Sequence, residues 1–113
     1  MKASFPERKF QFWQYRVSHG ELLVRSPKDA VHARNADLMF AGVEYVDLPR
    51  VIPDLEVDEP SDEDVARARE RLGESVQRDH VIVLRSQGRR YIVVASAVKA
   101  VESDMDIFDS PFR

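Results

Sequence analysis

The stretch that decides the fold is VIVLRSQGRRYIVV, which covers residues 81–94. Two runs of mostly β-branched and aliphatic residues flank Gln87-Gly88, a pair that suits a tight turn between antiparallel strands. With these two residues as the turn, Leu84 lies opposite Tyr91. Both faces of the hairpin are apolar near its base, which is typical of strands in the middle of a sheet that is covered on both sides. We therefore predict a central hairpin with a helix packed on one face.

That helix is predicted shortly before the hairpin. Ser61 and Asp64 have the spacing of a capping box, with Asp in place of the usual Glu or Gln. Gly73 is a suitable stop signal. Apolar residues recur between these ends and just beyond them at helical spacing, in one narrow stripe: Val65, Ala68, Leu72 and Val76. The pattern predicts one amphipathic helix that packs on the sheet.

A second hairpin is predicted near the N-terminus. The aromatic-rich run Phe10–Val17 and the run Glu21–Ser26 favour strands, and His19-Gly20 fits a two-residue turn between them. This turn places Tyr15 opposite Val24 on the expected core face. The other face is then mixed in character, with aromatic, aliphatic and basic side chains: Phe10, Phe12, Arg16, Leu23 and Arg25.

The remaining stretches complete the expected secondary structure. Residues 26–35 predict a loop. Residues 36–49 predict a strand with a bulge or tight bend at Ala41-Gly42, because an interior glycine weakens a plain strand. Residues 51–57 predict a short edge strand. Residues 96–103 fit either a short helix or a strand.

The expected fold class is α+β: a mainly antiparallel sheet of about five to seven strands with one amphipathic helix packed on it. Strong curvature of the sheet, or a barrel-like closure, stays open. A chain of 113 residues is near the common size of one domain. We therefore expect residues 1–113 to form a single domain, with residues 1–8 and 104–113 as mobile tails.

Composition narrows the class of protein. Hydrophobic residues make up 43% and charged residues 33% of the chain, which is too apolar for disorder and too charged for a membrane protein. The first residues lack the apolar segment of a secretory signal, so we expect a cytoplasmic, microbial protein. The chain has no cysteine, which excludes disulfides, thiolate chemistry and cysteine-based metal sites.

Charge is segregated along the chain, although the formal net charge is only -3. Residues 54–64 carry seven of the 20 acidic side chains and none of the 17 basic ones. The rest of the domain is therefore mildly basic. This excess lacks the concentrated patch that is typical of a nucleic-acid-binding surface.

No catalytic, cofactor or metal motif is present. The four glycines are scattered, so no phosphate-binding loop is predicted. The acidic side chains of residues 54–64 are explained by solvation and by capping of the helix. The histidines fit no ligand spacing and read as turn, loop and strand-entry residues: His19, His32 and His80. We therefore predict no catalytic residues, no cofactor and no metal.

A partner-binding surface is a better candidate for the functional region than a catalytic or metal site. Arg85 and Arg90 are predicted to lie directly opposite each other, with Arg89 beside them, and like charges in this arrangement repel. Solvation at the hairpin tip, the acidic run, the acidic tail or an external anion could offset this repulsion. Aromatic residues and arginine are also enriched at protein interfaces. The candidate partner surface therefore combines both hairpins: Phe10, Phe12, Arg16, Arg25, Arg85, Arg89 and Arg90.

Three functions are compatible with these features. The leading hypothesis is a non-enzymatic protein-binding or accessory module, acting on a protein partner or as a homodimer. The second is a small-ligand-binding protein or small enzyme whose site would combine His19, His32, Tyr45 and Arg25. The third is weak binding of single-stranded nucleic acid through stacked aromatic and arginine side chains, which the net charge disfavours.

Overall fold

A computed structural model describes residues 1–112; Arg113, the last residue of the expected tail 104–113, lies outside the described residues. The described chain contains one α-helix, α1 (Asp62–Leu72), and ten strands. The strands are β1 (Ala3–Ser4), β2 (Lys9–Arg16), β3 (Glu21–Ser26), β4 (Asn35–Ala41), β5 (Tyr45–Asp47), β6 (Val51–Pro53), β7 (Glu56–Asp58), β8 (Val81–Ser86), β9 (Arg89–Val94) and β10 (Ala97–Ser103).

The strands form two antiparallel sheets of five strands each. Sheet A has the order β1-β7-β8-β9-β5, and sheet B has the order β10-β4-β3-β2-β6. Apolar side chains from both sheets meet in one core between them. The predicted α+β class with antiparallel sheets is confirmed, and the sheets do not close into a barrel. There are more strands than expected because the predicted stretches 36–49 and 51–57 each divide into two short strands that belong to different sheets.

The central hairpin, β8 and β9, has the predicted register. Leu84 pairs with Tyr91 and Arg85 with Arg90, and Gln87 and Gly88 both have positive φ angles of 50° and 78°. Side chains of β8 alternate between the core that faces sheet B and a second core that lies under the helix. The hairpin therefore lies mid-sheet with apolar cover on both faces, as predicted.

Helix α1 begins and packs as predicted. Ser61 is its N-cap, and the side chains of Ser61 and Asp64 each accept a hydrogen bond from the other residue's main-chain N–H. Val65 and Ala68 are buried in the second core, and Leu72 packs against it. The main-chain N–H of Gly73 donates to the carbonyl of Arg69, which closes the last turn.

The N-terminal hairpin differs from its prediction. Residues Val17–His19 form a turn of 3-10 helix, so the connection has four residues instead of two, and Tyr15 pairs with Leu22 instead of Val24. A bulge at Trp13 then shifts the strand so that Phe12 pairs with Val24. The predicted assignment of Phe10 and Phe12 to the face opposite the core is therefore wrong. The reason is that one extra residue in a strand exchanges the faces of everything beyond it.

Gly42 forms the corner between the sheets, at the bend predicted there. Its φ angle is 63°, and a Cβ atom added to it would clash with Oγ of Ser96. That hydroxyl donates a hydrogen bond to the carbonyl oxygen of Ala41 at 3.0 Å. Only glycine leaves room for this contact while the chain passes from β4 in sheet B to β5 in sheet A.

Both ends of the described chain contact the sheets. Ala3 pairs with Val57, and the ring of Phe5 packs edge-on against Phe10 at a centroid distance of 5.1 Å. The ambiguous stretch 96–103 contains β10, which pairs with β4 along its whole length. Within residues 1–112, no helix is long and apolar enough to cross a membrane.

Candidate functional site

The outer face of sheet B, the one that points away from sheet A, carries a buried ion pair. Leu22 and Val24 of β3 point into the core between the sheets, so the alternate residues Leu23 and Arg25 point outward. Asp37 on β4 pairs directly with Arg25 and shares this face. The side chains of Arg25 and Asp37 are both 0% exposed. Since their face lies outside the core, another segment must cover them.

That segment is residues 104–112, which we call the C-terminal tail. The guanidinium of Arg25 has five N–H groups, and each has an acceptor. Two of them donate to the carboxylate of Asp37 at 2.7 and 3.0 Å. A third approaches the sulfur of Met105 at 3.6 Å. Both N–H groups of Nη1 donate to main-chain carbonyl oxygens of the tail, to Ile107 at 2.9 Å and to Asp109 at 2.8 Å.

Aromatic rings complete the contact between the arginines of this face and the tail. The indole of Trp13, placed by the bulge in β2, lies 5.8 Å from the guanidinium carbon of Arg25. The ring of Phe112 in the tail lies 5.8 Å from the guanidinium carbon of Arg16. Cations at this distance from an aromatic ring are attracted by its π electrons. The tail is thus held at its middle and near its end.

The beginning of the tail is held by polar groups at the rim of the face. The side-chain amide of Asn35 donates to the carbonyl of Met105 at 3.0 Å, and Nζ of Lys28 donates to the carbonyl of Asp104 at 2.6 Å. Arg34 donates to the carbonyl of Glu102 at the end of β10, at 3.1 Å. All three acceptors are main-chain oxygens. These rim contacts therefore hold the beginning of the tail through its backbone.

Side-chain exposure alternates along the first half of the tail. Met105 and Ile107 are half-buried, whereas Asp104, Asp106 and Phe108 are exposed. This alternation is the pattern of an extended segment that lies with one side against a surface. The tail therefore offers two apolar anchors with acidic residues between and beside them.

Two of the three arginines at the tip of the central hairpin, Arg85 and Arg90, are neutralised within the chain. Arg85 pairs with Glu56 at 3.4 Å and with Asp58 at 3.3 Å, and Arg90 pairs with Asp58 at 3.7 Å and with Asp64 at 2.6 Å. The predicted opposition of Arg85 and Arg90 is confirmed, and the acidic run offsets it.

Titration of the acidic side chains reflects these contacts. Burial raises the pKa of Asp64, but hydrogen bonds from Arg90 and Ser61 outweigh burial and lower this pKa to about 2. The bond to Asp64 raises the pKa of Arg90. The pKa of Asp58 is lowered, first by a main-chain hydrogen bond from Glu59 and then by Lys2 and the two arginines. These carboxylates are therefore engaged by their own chain.

The predicted partner residues lie in three places. Arg16 and Arg25 lie on the outer face of sheet B, where Arg25 is buried beneath the tail and Arg16 is half-buried. Phe10 is buried in the core and Phe12, on the core side of β2, is 36% exposed. The tip arginines Arg85, Arg89 and Arg90 belong to sheet A, and Arg89 is exposed.

Sequence reasoning missed Trp13, Asp37 and the tail as parts of this face. An available signal was the opposite charge of Arg25 and Asp37 on adjacent predicted strands, but their register depended on the turn. The groups of the alternative small-molecule site are not brought together. Tyr45 packs beneath the helix on sheet A, whereas Arg25 lies on the far side of sheet B.

The described side-chain bonds of His19 and His32 are to residues close in sequence. His19 bonds to its neighbour Ser18, and His32 bonds to Asp29, whose pKa is lowered mainly by the main-chain N–H groups of His32 and Val31. Among residues 1–112, no group of three or more His, Asp or Glu side chains could hold a metal ion.

Comparison with known proteins adds no relative. No protein-family model, no curated protein and no solved structure matches the chain. The geometry of the outer face of sheet B is therefore the basis for a functional proposal.

Proposed function

We propose that this chain is a non-enzymatic protein-binding module that holds an extended peptide segment on the outer face of sheet B. The observation that carries the proposal is the double hydrogen bond from Arg25 to the carbonyls of Ile107 and Asp109. Charge-assisted hydrogen bonds are stronger than neutral ones, so these two bonds fix the path of the bound backbone. In this structure the C-terminal tail occupies the binding face.

The buried ion pair supports a binding role more than a stabilising one. Removing two charges from water costs several kcal/mol, and a hydrophobic pair of similar size is often at least as stable. Asp37 instead fixes the guanidinium of Arg25 with its remaining three N–H groups aimed at the tail. The pair therefore orients donors before a segment arrives, which lowers the entropy cost of binding.

The same contacts disfavour catalysis at this face. The carboxylate of Asp37 accepts two hydrogen bonds from an arginine, and the cation stays charged at any ordinary pH. Both groups are occupied by hydrogen bonds to each other. The described contacts of Arg25 with the tail are bonds to main-chain oxygen and a contact with a thioether, which supports a binding role.

Binding in trans tests this function. The full-length chain with Met105→Ser and Ile107→Ser, which we call the tail variant, loses both apolar anchors and should release its own tail. A fluorescent peptide with the sequence of residues 104–112 is then titrated against it, and polarisation is measured. We expect saturable binding to the tail variant. Weaker binding to the unmodified chain should accompany it, because a tethered tail competes at an effective concentration on the order of mM.

The control is Arg25→Lys in the tail variant. Lysine keeps a positive charge beside Asp37 but cannot donate to both the carboxylate and two carbonyls in a fixed fork. We expect about a tenfold loss of affinity or more, since a charged hydrogen bond contributes about 1.5–3 kcal/mol. Absence of peptide binding to a folded tail variant, judged by circular dichroism, would overturn the proposed function.

A further inference from the structure

We infer that the partner of this face is an acidic extended segment with apolar side chains at alternate positions. This inference rests on the proposed function and specifies the chemistry of the ligand. The segment that lies on the face has this pattern, with Met105 and Ile107 turned inward and acidic residues between and beside them. A partner segment that binds this face must displace the tail, so it must make equivalent contacts with the same surface.

The charge of the surface favours an acidic ligand. Basic side chains on or beside the tail-binding face outnumber acidic ones. The basic residues are Lys9, Arg16, Arg25, Lys28, Arg34 and Lys99, and the acidic residues are Glu21, Asp29 and Asp37. Asp37 and Glu21 are already paired with Arg25 and Arg16. The remaining basic groups leave an excess of positive charge that steers an anionic segment toward the face.

The tail matches this surface without direct ion pairs. Asp104, Asp106 and Asp109 give the tail three negative charges, and within residues 1–112 their carboxylates form no salt bridge. These carboxylates therefore contribute to binding through long-range electrostatic attraction to the basic surface. Such an attraction weakens with salt, because charges are screened beyond about 10 Å at 0.1 M ionic strength.

The face also extends past the tail. A groove of about 260 Å³ beside Phe112 is lined by Met39, Val98 and Lys99, among others. The lining is apolar except for Lys99, which is basic, and Glu21, which is acidic and paired with Arg16. A partner segment longer than the tail could place a further apolar residue there, which would let it compete with a tethered tail.

A panel of peptides on the full-length tail variant tests the chemistry. The peptide of residues 104–112 is compared with one that carries Asp104→Asn, Asp106→Asn and Asp109→Asn, and with a peptide of the same composition in scrambled order. We expect the amide peptide to bind about tenfold more weakly at low salt, by loss of charge attraction. We expect the scrambled peptide to bind weakly at any salt concentration, because its anchors no longer alternate.

Two variants of the chain test the same electrostatic attraction by changing the face while the acidic peptide stays the same. Lys28→Glu and Arg89→Glu change the charge of the chain equally, but Lys28 contacts the tail and Arg89 is at the exposed tip on sheet A. In the tail variant, Lys28→Glu should weaken binding of the acidic peptide severalfold, whereas Arg89→Glu should leave it nearly unchanged.

The outcomes separate this inference from the proposed function. Equal binding of acidic and amide peptides at low salt, or equal effects of Lys28→Glu and Arg89→Glu, would overturn the acidic partner while peptide binding itself stands. Equal binding of the scrambled peptide would overturn the alternating pattern. Failure of all three peptides would instead overturn the proposed function.

Discussion

Arg25 and Asp37 lie directly opposite each other on neighbouring strands, joined by two hydrogen bonds, and both side chains are fully buried although they point away from the core between the sheets. The C-terminal tail supplies acceptors for the rest of the guanidinium. The pair therefore couples a strand at the centre of sheet B to a segment more than 80 residues away in sequence.

Removing one member of this ion pair should destabilise the fold far more than replacing both members with apolar residues. Asp37→Ala leaves a buried guanidinium without its carboxylate and should lower the free energy of unfolding by about 3–5 kcal/mol. The double variant Arg25→Met and Asp37→Leu should recover most of this loss, because two apolar side chains need no partner. Urea denaturation followed by circular dichroism measures both. A double variant as unstable as Asp37→Ala would show that the pair itself stabilises the sheet.

Acid should weaken the fold through Asp64. Its pKa is about 2 in the folded chain, against an ordinary value of 3.8. The contribution of the ionised form is therefore complete above about pH 4 and is lost as the pH falls toward 2. The difference corresponds to about 2 kcal/mol. Urea denaturation at pH 6 and pH 2.5 should show a smaller acid loss for Asp64→Asn than for the unmodified chain.

A neighbouring carboxylate provides the control for this pH dependence. Asp62 lies in the same helical turn, but its side chain is 97% exposed. Asp62→Asn should therefore keep the full loss of stability in acid. If Asp64→Asn and Asp62→Asn behave alike, the hydrogen bonds of Asp64 do not set the acid sensitivity.

Gly42 should tolerate no side chain while Ser96 occupies its present position. Gly42→Ala places a Cβ atom against Oγ of Ser96 and keeps a positive φ angle, so it should lower the free energy of unfolding by about 1–3 kcal/mol. In a Ser96→Gly background the contact is absent, and the loss from Gly42→Ala should fall to the backbone strain of about 1 kcal/mol. Thermal denaturation of the unmodified chain, the two single variants and the double variant measures the coupling free energy between the two positions. Additive effects of the two substitutions would contradict the contact.

Asp58 should contribute modestly, and mainly at low salt. It lies between Arg85 and Arg90, which face each other across the central hairpin. Asp58→Asn leaves these arginines less well screened and should lower stability only slightly, because the pairs are partly exposed. The loss should shrink in 1 M sodium chloride. An unchanged loss at high salt would mean that Asp58 acts by packing.

Local signals predicted part of the fold well. The register of residues 81–94 follows from a turn of known length between two apolar runs, and α1 follows from Ser61, Asp64 and a helical stripe. Both depend on residues close together in sequence. Their physical causes, turn geometry and helix capping, can be read without the rest of the chain.

The candidate site was less predictable because it depends on distant contacts. The N-terminal turn could have two or four residues, and that choice together with the bulge at Trp13 decides which aromatic side chains are buried. The sequence pattern identified Arg16 and Arg25 as surface candidates. It contains no local signal that the acidic tail returns across sheet B to cover Arg25.

Trp13 offers the most direct test of the central claim that the outer face of sheet B binds an extended segment. It is the one tryptophan of the chain, and its ring faces the guanidinium of Arg25, which bonds to the tail. In the tail variant, Trp13 emission should shift to longer wavelength as water reaches the ring. Adding the tryptophan-free peptide of residues 104–112 should shift the emission back along a saturating curve. Emission that is the same in both chains, or that does not return with the peptide, would contradict the account.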